Sequence, residues 1–272
     1  MNEPLVSVII PSYNQAHYLE AALDSVIFQD YPNIEMIICN HGSTDNTSQV
    51  IAAFHNNLKN QEVSYLHHMD YDDERFVRRS APRYPQSRKI LVLESSENIG
   101  GTRSYNEGFT RATGKYCTYL VGDDRFQLNA VRKMVEVLET QDYDFVYSDT
   151  VIVDDRDRIL QRLSKPDYSF ETCFADWYHL GVSKLYKTTL HQVSGFYDPT
   201  YKNANDYDMY LRFALDGCRF VHIPEVLYYL RIHDPDDQKE PASWRKNGYR
   251  NLIRESVLCA RRARAALRSH QA

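Results

Sequence analysis

Residues 118–126 read TYLVGDDRF, an apolar run that ends in a glycine and two adjacent carboxylates. The run begins at Tyr116 and predicts a buried strand up to Val121, which delivers Asp123 and Asp124 to its carboxyl end. In an open α/β sheet, ligands bind beyond the carboxyl ends of the strands. Two neighbouring carboxylates suit a divalent cation that links them to a phosphate. An aspartate before an amphipathic helix is also a common helix cap, so this stretch alone leaves both interpretations open.

Apolar segments alternate with helical patterns on the N-terminal side of this stretch. Strands are predicted at residues 5–10, 34–39 and 63–66, and amphipathic helices lie between them. Such alternation predicts right-handed crossovers and a mostly parallel sheet with helices on both faces. The polar turns at residues 11–14 and 40–47 would then lie at the ligand-binding end of the sheet.

Residues 68–88 interrupt the alternation with a polar segment rich in aspartate and arginine. We predict an exposed loop inserted between strands. Its arginines are either solvated or face an anionic ligand, because guanidinium matches phosphate geometry; they are Arg75, Arg78, Arg79, Arg83 and Arg88.

The pattern resumes with a strand at residues 90–93 and continues to the C-terminus. Further strands are predicted at 144–148 and 220–223, helices after residues 100, 124 and 204, and an arginine-rich helix over 244–268.

The composition excludes several classes of protein. The 272 residues carry a net charge of −5, which gives no footprint for nucleic-acid binding. The five cysteines are scattered and lack metal-ligand spacing, which favours reduced thiols. We expect no signal peptide and no bilayer-spanning segment. Reduced thiols favour a cytoplasmic protein, either free or at the inner face of the membrane.

A set of ordered motifs extends from residue 6 to residue 233. They are VSVIIPSYN (6–14), QDYPNIE (29–35), GSTD (42–45), NIG (98–100), LVGDD (120–124), GFYD (195–198), DYD (206–208) and YLRIH (229–233). In order and spacing this set resembles the family 2 inverting glycosyltransferases, which have the GT-A fold.

The resemblance implies an α/β architecture with a Rossmann-like, mostly parallel central sheet, helices on both faces and a smaller acceptor-side region. It divides the chain into a donor-binding half (1–125), an acceptor-binding and catalytic-base half (126–240) and a helical tail (241–272).

The resemblance also implies a function. The protein would move a sugar from a nucleotide diphosphate sugar, most often UDP-linked, to a hydroxyl of a glycan or lipid-linked acceptor, with Mn²⁺ or Mg²⁺ as cofactor. In the family's positions Asp206 is the catalytic base, and Asp123, Asp124 and His233 hold the metal. The nucleotide-binding positions are Pro11, Ser12, Tyr13, Asn14, Asn40, His41, Asn98, Arg103 and Asp123.

Several of these positions also have plain structural explanations. Asp206 could be a helix cap, His233 an exposed loop histidine, and Tyr13 a packing residue. Arg103 could simply lie on a helix surface.

Three positions depart from the family pattern. Asn40 and His41 stand where two aspartates are usual, one of which accepts a hydrogen bond from uracil. Val121 replaces the first aspartate of the Asp-x-Asp motif, and Asn205 replaces the acid before the base. The nucleotide base is therefore less secure than the diphosphate.

Other functions remain as alternatives. The departures motivate a non-catalytic GT-A protein that binds a nucleotide sugar or a partner. A nucleotidyltransferase is disfavoured because residues 11–14 form no glycine-rich basic loop, and a dehydrogenase because no G-x-G-x-x-G follows the first strand. The C-terminal helix is either solvated or lies on an anionic membrane surface, and the sequence predicts no oligomeric state.

Overall fold

The computed structural model describes residues 3–70, 75–85, 88–233 and 248–270. Its strands are β1 (Val6–Ser12), β2 (Ile34–His41), β3 (Glu62–Asp70), β4 (Arg75–Pro82), β5 (Lys89–Ser95), β6 (Tyr116–Tyr119), β7 (Arg125–Phe126), β8 (Phe145–Val153), β9 (Ile159–Leu163), β10 (Lys184–Lys187) and β11 (Phe220–Arg231). Its helices are α1 (Ala16–Ile27), α2 (Thr47–Asn60), α3 (Gly101–Arg111), α4 (Ala130–Thr140), α5 (Phe170–Cys173), α6 (Leu190–Ser194), α7 (Asn205–Leu215) and α8 (Tyr249–His270).

Over the described residues, a central sheet of nine strands has the order β5-β2-β1-β6-β10-β8-β11-β7, with β9 paired to β8. Strands β5, β2, β1, β6, β8 and β11 run in one direction, whereas β10, β7 and β9 run against them. The reversed strand β10 joins the donor-side strands to β8 and β11. The carboxyl ends of β1, β2, β6, β8 and β11 therefore meet at one edge.

Both faces of this sheet are covered, because successive side chains of a strand point to opposite sides. Val8 and Ile10 pack in one core with α1, α2 and α4, and Ile9 packs in the other with α3, α7 and α8. The predicted mostly parallel sheet with helices on both faces is confirmed. The cysteines of β2 and β6, Cys39 and Cys117, are buried as expected for core filler.

Several strands differ in length from the predicted segments. β1 and β2 continue to Ser12 and His41, so the predicted turns begin later than expected. β6 ends at Tyr119, two residues early. The segment predicted as a strand at 220–223 continues as one strand to Arg231. Pro224 lies where the register with β8 shifts, and a proline is tolerated there because it donates no hydrogen bond to the neighbouring strand.

The prediction of an exposed loop at residues 68–88 is wrong. β3 and β4 pair in antiparallel fashion as a separate two-stranded sheet, so the strand predicted at 63–66 also lies outside the central sheet. Where the burial of its side chains is described, the hairpin is mostly exposed: Val63 is 45% exposed, and Arg79 and Ser80 are exposed. Its sequence therefore lacks the pattern of a buried strand. Residues 71–74 and 86–87 of the predicted loop lie outside the described residues.

Two arginines of this segment have structural roles rather than the ligand role considered above. Arg83 pairs with Asp24 of α1 at 3.0 Å. Arg88 donates to the carbonyl oxygens of Ile27, Gln29, Tyr31 and Pro32 at 2.5–3.1 Å. Both guanidinium groups fasten the hairpin and β5 to the end of α1.

The C-terminal helix is present as α8, which packs against α7. Residues 244–247 of the predicted helix, and the end of the predicted acceptor half after residue 233, lie outside the described residues. The central sheet itself runs through both predicted halves, because β6 bonds directly to β10.

Candidate active site

The two aspartates after β6 have different surroundings. Asp124 is 2% exposed, and its carboxylate accepts hydrogen bonds from the Tyr228 hydroxyl and the Arg231 backbone N–H, each at 2.7 Å. Burial raises the pKa of Asp124 well above its usual range, and neighbouring Asp123 raises it further. Asp124 thus anchors the end of β11 to the end of β6.

Asp123 points instead toward the open side of the sheet edge. Its Oδ2 lies 2.9 Å from Nε2 of His233, and Nδ1 of that histidine lies 2.7 Å from Oδ1 of Asp155. Hydrogen bonding to Asp123 raises the pKa of His233 to about 9, against the opposing effect of burial. The Tyr18 hydroxyl completes the chain with a 2.5 Å bond to Asp155.

Arg231 connects this chain to the turn after β8. Its guanidinium donates to the carbonyl oxygens of Asp123 and Asp154 and to the carboxylate of Asp157, and it lies 4.7 Å from the centre of the Tyr18 ring. The side chain of Arg231 is 4% exposed. The loops that present Asp123 and His233 are therefore held in place before any ligand binds.

This arrangement fits a divalent cation held partly by its substrate. Within the described ranges, no three His, Cys, Asp or Glu side chains converge as a complete metal site. Asp123 and His233 lie 2.9 Å apart, and a cation would take the place of the proton between them. One carboxylate oxygen and one deprotonated imidazole nitrogen would leave several coordination positions for diphosphate oxygens. Mg²⁺ is commonly bound through one or two protein groups together with substrate phosphates.

The loops after β1 and β2 are joined by side-chain hydrogen bonds. Asn14, in the left-handed region at φ 54°, accepts the Thr44 N–H at 2.7 Å and donates its own N–H to Ser43. Asp45 accepts the N–H of Ala16 at 3.1 Å. The predicted nucleotide-binding turn and the GSTD motif therefore form one surface.

Asn40 and His41, the two departures at the end of β2, are occupied by protein partners. Asn40 donates to Ser48 and Glu94 at 2.9 and 2.8 Å and accepts from the Ser43 hydroxyl. The ring of His41 lies 2.9 Å from Ser104 Oγ and 3.1 Å from Glu107 Oε2. The polar groups of both side chains are therefore bonded to protein groups at the end of β2, where the base pocket is predicted.

The remaining predicted nucleotide-binding residues differ in their exposure and hydrogen bonding. Pro11 and Ser12 are buried at the end of β1, whereas Tyr13 is 42% exposed beside them. Asn98 accepts the N–H of Gly100 at 2.9 Å. Arg103 is exposed on α3.

The Asn98 loop packs closely against the end of β2. Gly42 has φ +73°, and a Cβ there would lie 2.4 Å from the Asn98 nitrogen. A glycine is needed at this contact for both its conformation and its size.

Asp206 lies at the start of α7, half-buried among tyrosines. Its Oδ1 accepts the N–H of Tyr207 at 2.7 Å, but the N-cap of α7 is Ala204, without a side-chain cap bond, so the helix-cap explanation of Asp206 is wrong. Burial raises the pKa of Asp206, and the charge of Lys184 opposes that shift. Burial raises the pKa of Tyr105 and Tyr178, and the charges of Asp206 and Asp124 raise both further, so the two acidic centres lie near the same tyrosines.

Sequence inspection missed three residues of this region. Arg231 lies within the YLRIH motif, which assigns it no role, and Asp155 lies in the turn at 154–158, whose charged sequence is its only signal. Lys184 has no such signal, because a lysine at the start of a short strand is usually a surface residue. In the structure it is 0% exposed.

With this geometry described, the chain can be compared with known proteins. The sequence profile described as "Glycosyl transferase family 2" matches residues 7–70 and 72–202. The chain belongs to glycosyl transferase family 2. The family predicted from the ordered motifs is confirmed.

The relatives of this family 2 chain come from several bacteria. It is 30% identical over 241 residues to an uncharacterized glycosyltransferase of Rickettsia prowazekii, covering 85% of this chain and 64% of the relative. It is 27% identical over 258 residues to the chondroitin synthase of Pasteurella multocida, covering 93% of this chain and 23% of that protein. The chain thus spans less than two thirds of the length of these relatives.

Solved structures confirm the GT-A fold. S. aureus TarS 1-349 in complex with UDP-GlcNAc superposes with a TM-score of 0.65 at 17% identity, over 94% of this chain and 66% of that one. The mannosyltransferase PcManGT from Pyrobaculum calidifontis, in complex with GDP-Man and Mn²⁺, gives 0.58 at 17% identity, over 99% and 76%. Among the helices that the structure describes, none has both the length and the apolar character to cross a bilayer.

Proposed function

We propose that this protein transfers a sugar from a nucleoside diphosphate sugar to a hydroxyl of a glycan or lipid-linked acceptor, with inversion at the anomeric carbon. The observation that supports it most is that two acidic centres lie near the same tyrosines. Asp123 with His233 lies at the carboxyl edge of the sheet, and Asp206 faces the same tyrosines from α7.

Asp206 is the proposed general base. The acceptor oxygen attacks the anomeric carbon from the face opposite the diphosphate, and the acceptor proton passes to the Asp206 carboxylate. The bond between the anomeric carbon and the diphosphate oxygen breaks, and its electron pair leaves with the diphosphate. Burial suits this role because it makes the carboxylate a stronger base.

Asp123 and His233 are the proposed protein ligands of a divalent cation. Bound Mn²⁺ or Mg²⁺ would neutralise the negative charge that develops on the diphosphate leaving group. Asp124 is also a predicted ligand from the sequence, but both of its oxygens accept bonds from within the protein. We therefore assign it the role of holding Asp123 and β11 in register.

UDP is the first donor nucleotide to test, and GDP is the second. One solved structural neighbour holds UDP-GlcNAc and another holds GDP-Man. Asn40 and His41 are both bonded to protein groups, so base selection would rest on the shape of the pocket and on the exposed Tyr13 ring.

A peripheral membrane contact is proposed for the outward face of α8. Five exposed arginines share this face by helical spacing, with Ile253, Val257 and Leu258 exposed at 37%, 47% and 44%; they are Arg250, Arg254, Arg261, Arg264 and Arg268. Among the described residues, the ion pairs of α8 are made by a different arginine, Arg262, with Asp198 and Asp208. A cationic face with exposed apolar side chains complements an anionic lipid surface.

A thermal-shift panel tests the donor site directly. UDP, GDP, ADP and CDP are each added with and without Mn²⁺, and one nucleotide is expected to raise Tm in a metal-dependent manner. The His233→Gln variant should lose the metal-dependent part of the shift. His55→Gln, on the exposed side of α2, should keep it. Absence of any nucleotide-dependent shift in the wild type would refute the proposed donor site.

A further inference from the structure

Lys184 is a lysine with an unusual environment for an ammonium group. It opens β10 at the centre of the sheet and is 0% exposed. Its Nζ donates to the hydroxyl of Tyr119 at 2.6 Å and to that of Tyr210, and it lies 4.4 and 4.8 Å from the centres of the two rings. In the described part of the chain, no carboxylate forms an ion pair with it. Neutral hydroxyls compensate only part of the cost of burying a charge.

Asp206 lies one helical turn before Tyr210 on α7, so its side chain shares a helix face with the tyrosine whose hydroxyl accepts from Lys184. Burial raises the pKa of Asp206, and the charge of Lys184 is the main factor that lowers it. Burial lowers the pKa of Lys184, and the charge of Asp206 is the main factor that raises it. The other titratable groups around this pair are tyrosines from α3, β6, α7 and the segments 174–183 and 195–204, together with one further lysine. They are Tyr105, Tyr119, Tyr178, Tyr197, Tyr210 and Lys165.

Lys165 does not compete for this position. Its ammonium donates to the Tyr178 carbonyl oxygen at 2.5 Å and lies 3.6 Å from the centre of the Tyr178 ring. It makes no contribution to the pKa of Asp206 comparable to that of Lys184. Of the two lysines, Lys184, on the sheet, is therefore the one whose charge acts on the Asp206 carboxylate.

We propose that Lys184 is a positioning residue of the transfer reaction, whose buried ammonium, held by two tyrosine hydroxyls, keeps the Asp206 carboxylate ionised in its tyrosine-lined pocket. This inference rests on the proposed role of Asp206 as the base. A buried carboxylate is a strong base only while it is deprotonated. The lysine supplies the opposite charge that offsets burial without forming a contact that would block the acceptor's proton.

The direct test is a titration of the Asp206 carboxyl by ¹³C NMR on protein labelled at aspartate, with Asp206→Asn identifying the signal. In Lys184→Met the midpoint is expected at higher pH than in the wild type. Lys187→Met is the matched control, because it removes a lysine of the same strand that pairs with Asp144 at 2.7 Å. It should leave the midpoint unchanged. Lys184→Gln provides a second variant if methionine does not fold, as judged by circular dichroism.

An activity measurement separates an electrostatic role from a structural one. In Lys184→Met, the ratio of kcat at pH 6 to kcat at pH 8.5 should fall by about tenfold, because Asp206 is ionised at pH 8.5 even without the lysine but depends on it at pH 6. The KM for the donor should not change. An unmoved Asp206 midpoint, or an equal loss of kcat at every pH, overturns the inference.

The two proposals fail in different ways. If the midpoint moves in Lys184→Met but Asp206→Asn transfers sugar normally, the base assignment is wrong and the role of Lys184 in transfer falls with it. If Asp206→Asn is inactive and the midpoint stays, the base assignment stands and only the role of Lys184 is refuted.

Discussion

Replacing Lys184 by methionine should remove a specific pH dependence from the stability of the fold. Burial lowers the pKa of Lys184 to about 7 from the ordinary 10.5. Between these values the unfolded chain keeps a proton on the lysine that the folded protein has released. Unfolding then takes up a proton, so the free energy of unfolding of the wild type rises with pH through this window.

The size of the effect follows from the two pKa values. Between pH 7 and 9.5 the unfolded lysine stays almost fully protonated, whereas the folded lysine goes from half protonated to neutral. Integrating that difference at about 1.4 kcal/mol per pH unit gives a gain of about 3 kcal/mol for the wild type. The Lys184→Met variant has no titrating group at this position, so the gain is absent.

Titrating groups that do not interact with Lys184 act equally on both proteins. Burial raises the pKa of Cys39 and Cys117 to about 12, and a raised folded pKa costs stability once the unfolded thiol begins to ionise. The hydrogen bonds from Lys184 to Tyr119 and Tyr210 are lost in the variant at every pH. Comparing the two slopes cancels both contributions.

The assay is urea-induced unfolding under reducing conditions at pH 7, 8 and 9.5, for the wild type, Lys184→Met and Lys187→Met. The wild type and Lys187→Met should gain stability relative to Lys184→Met by about 3 kcal/mol over this range. Parallel pH dependence in the wild type and Lys184→Met would show that the lysine is charged in the fold, which would refute the argument from burial.

Four further variants test the site and the C-terminal helix. Asp206→Asn keeps the oxygen that accepts the Tyr207 N–H, so donor binding by calorimetry should be unchanged while transfer falls by at least about 100-fold; normal turnover would exclude it as the base. His233→Gln should weaken Mn²⁺-dependent donor binding by about 10- to 100-fold, and unchanged affinity would exclude a metal role. Asp124→Asn leaves one buried donor without an acceptor and should lower the free energy of unfolding by about 1–3 kcal/mol. An unchanged free energy of unfolding would show that the carboxylate binds a ligand and does not anchor β11. Arg254→Glu with Arg261→Glu should reduce sedimentation with phosphatidylglycerol vesicles by more than tenfold, whereas phosphatidylcholine vesicles should bind neither protein; equal binding would refute the α8 contact.

The parts of the fold that the sequence predicts are those in which burial dictates residue type. The apolar runs of β1, β2 and β6 are buried on both faces, and their polar ends mark the ligand edge. The β3–β4 hairpin was not predicted because its sequence is polar and charged, and exposed positions such as Val63 and Arg79 leave no buried-strand pattern. Lys184 was not predicted because its burial depends on β6, β10 and α7 meeting around it, which no local pattern encodes.

The motif after β6 illustrates the same limit at the level of two residues. The sequence places Asp123 and Asp124 together at the ligand edge but gives no reason to treat them differently. Tertiary contacts separate them: β11 supplies a hydroxyl and a backbone N–H that occupy Asp124, and its end brings His233 to Asp123. Strand β11 is thus anchored by Asp124, and His233, just beyond its end, completes the candidate metal site with Asp123. Because the anchor and the site share β11, a change that loosens Asp124 should also move His233 away from Asp123, which couples the stability of this edge to donor binding.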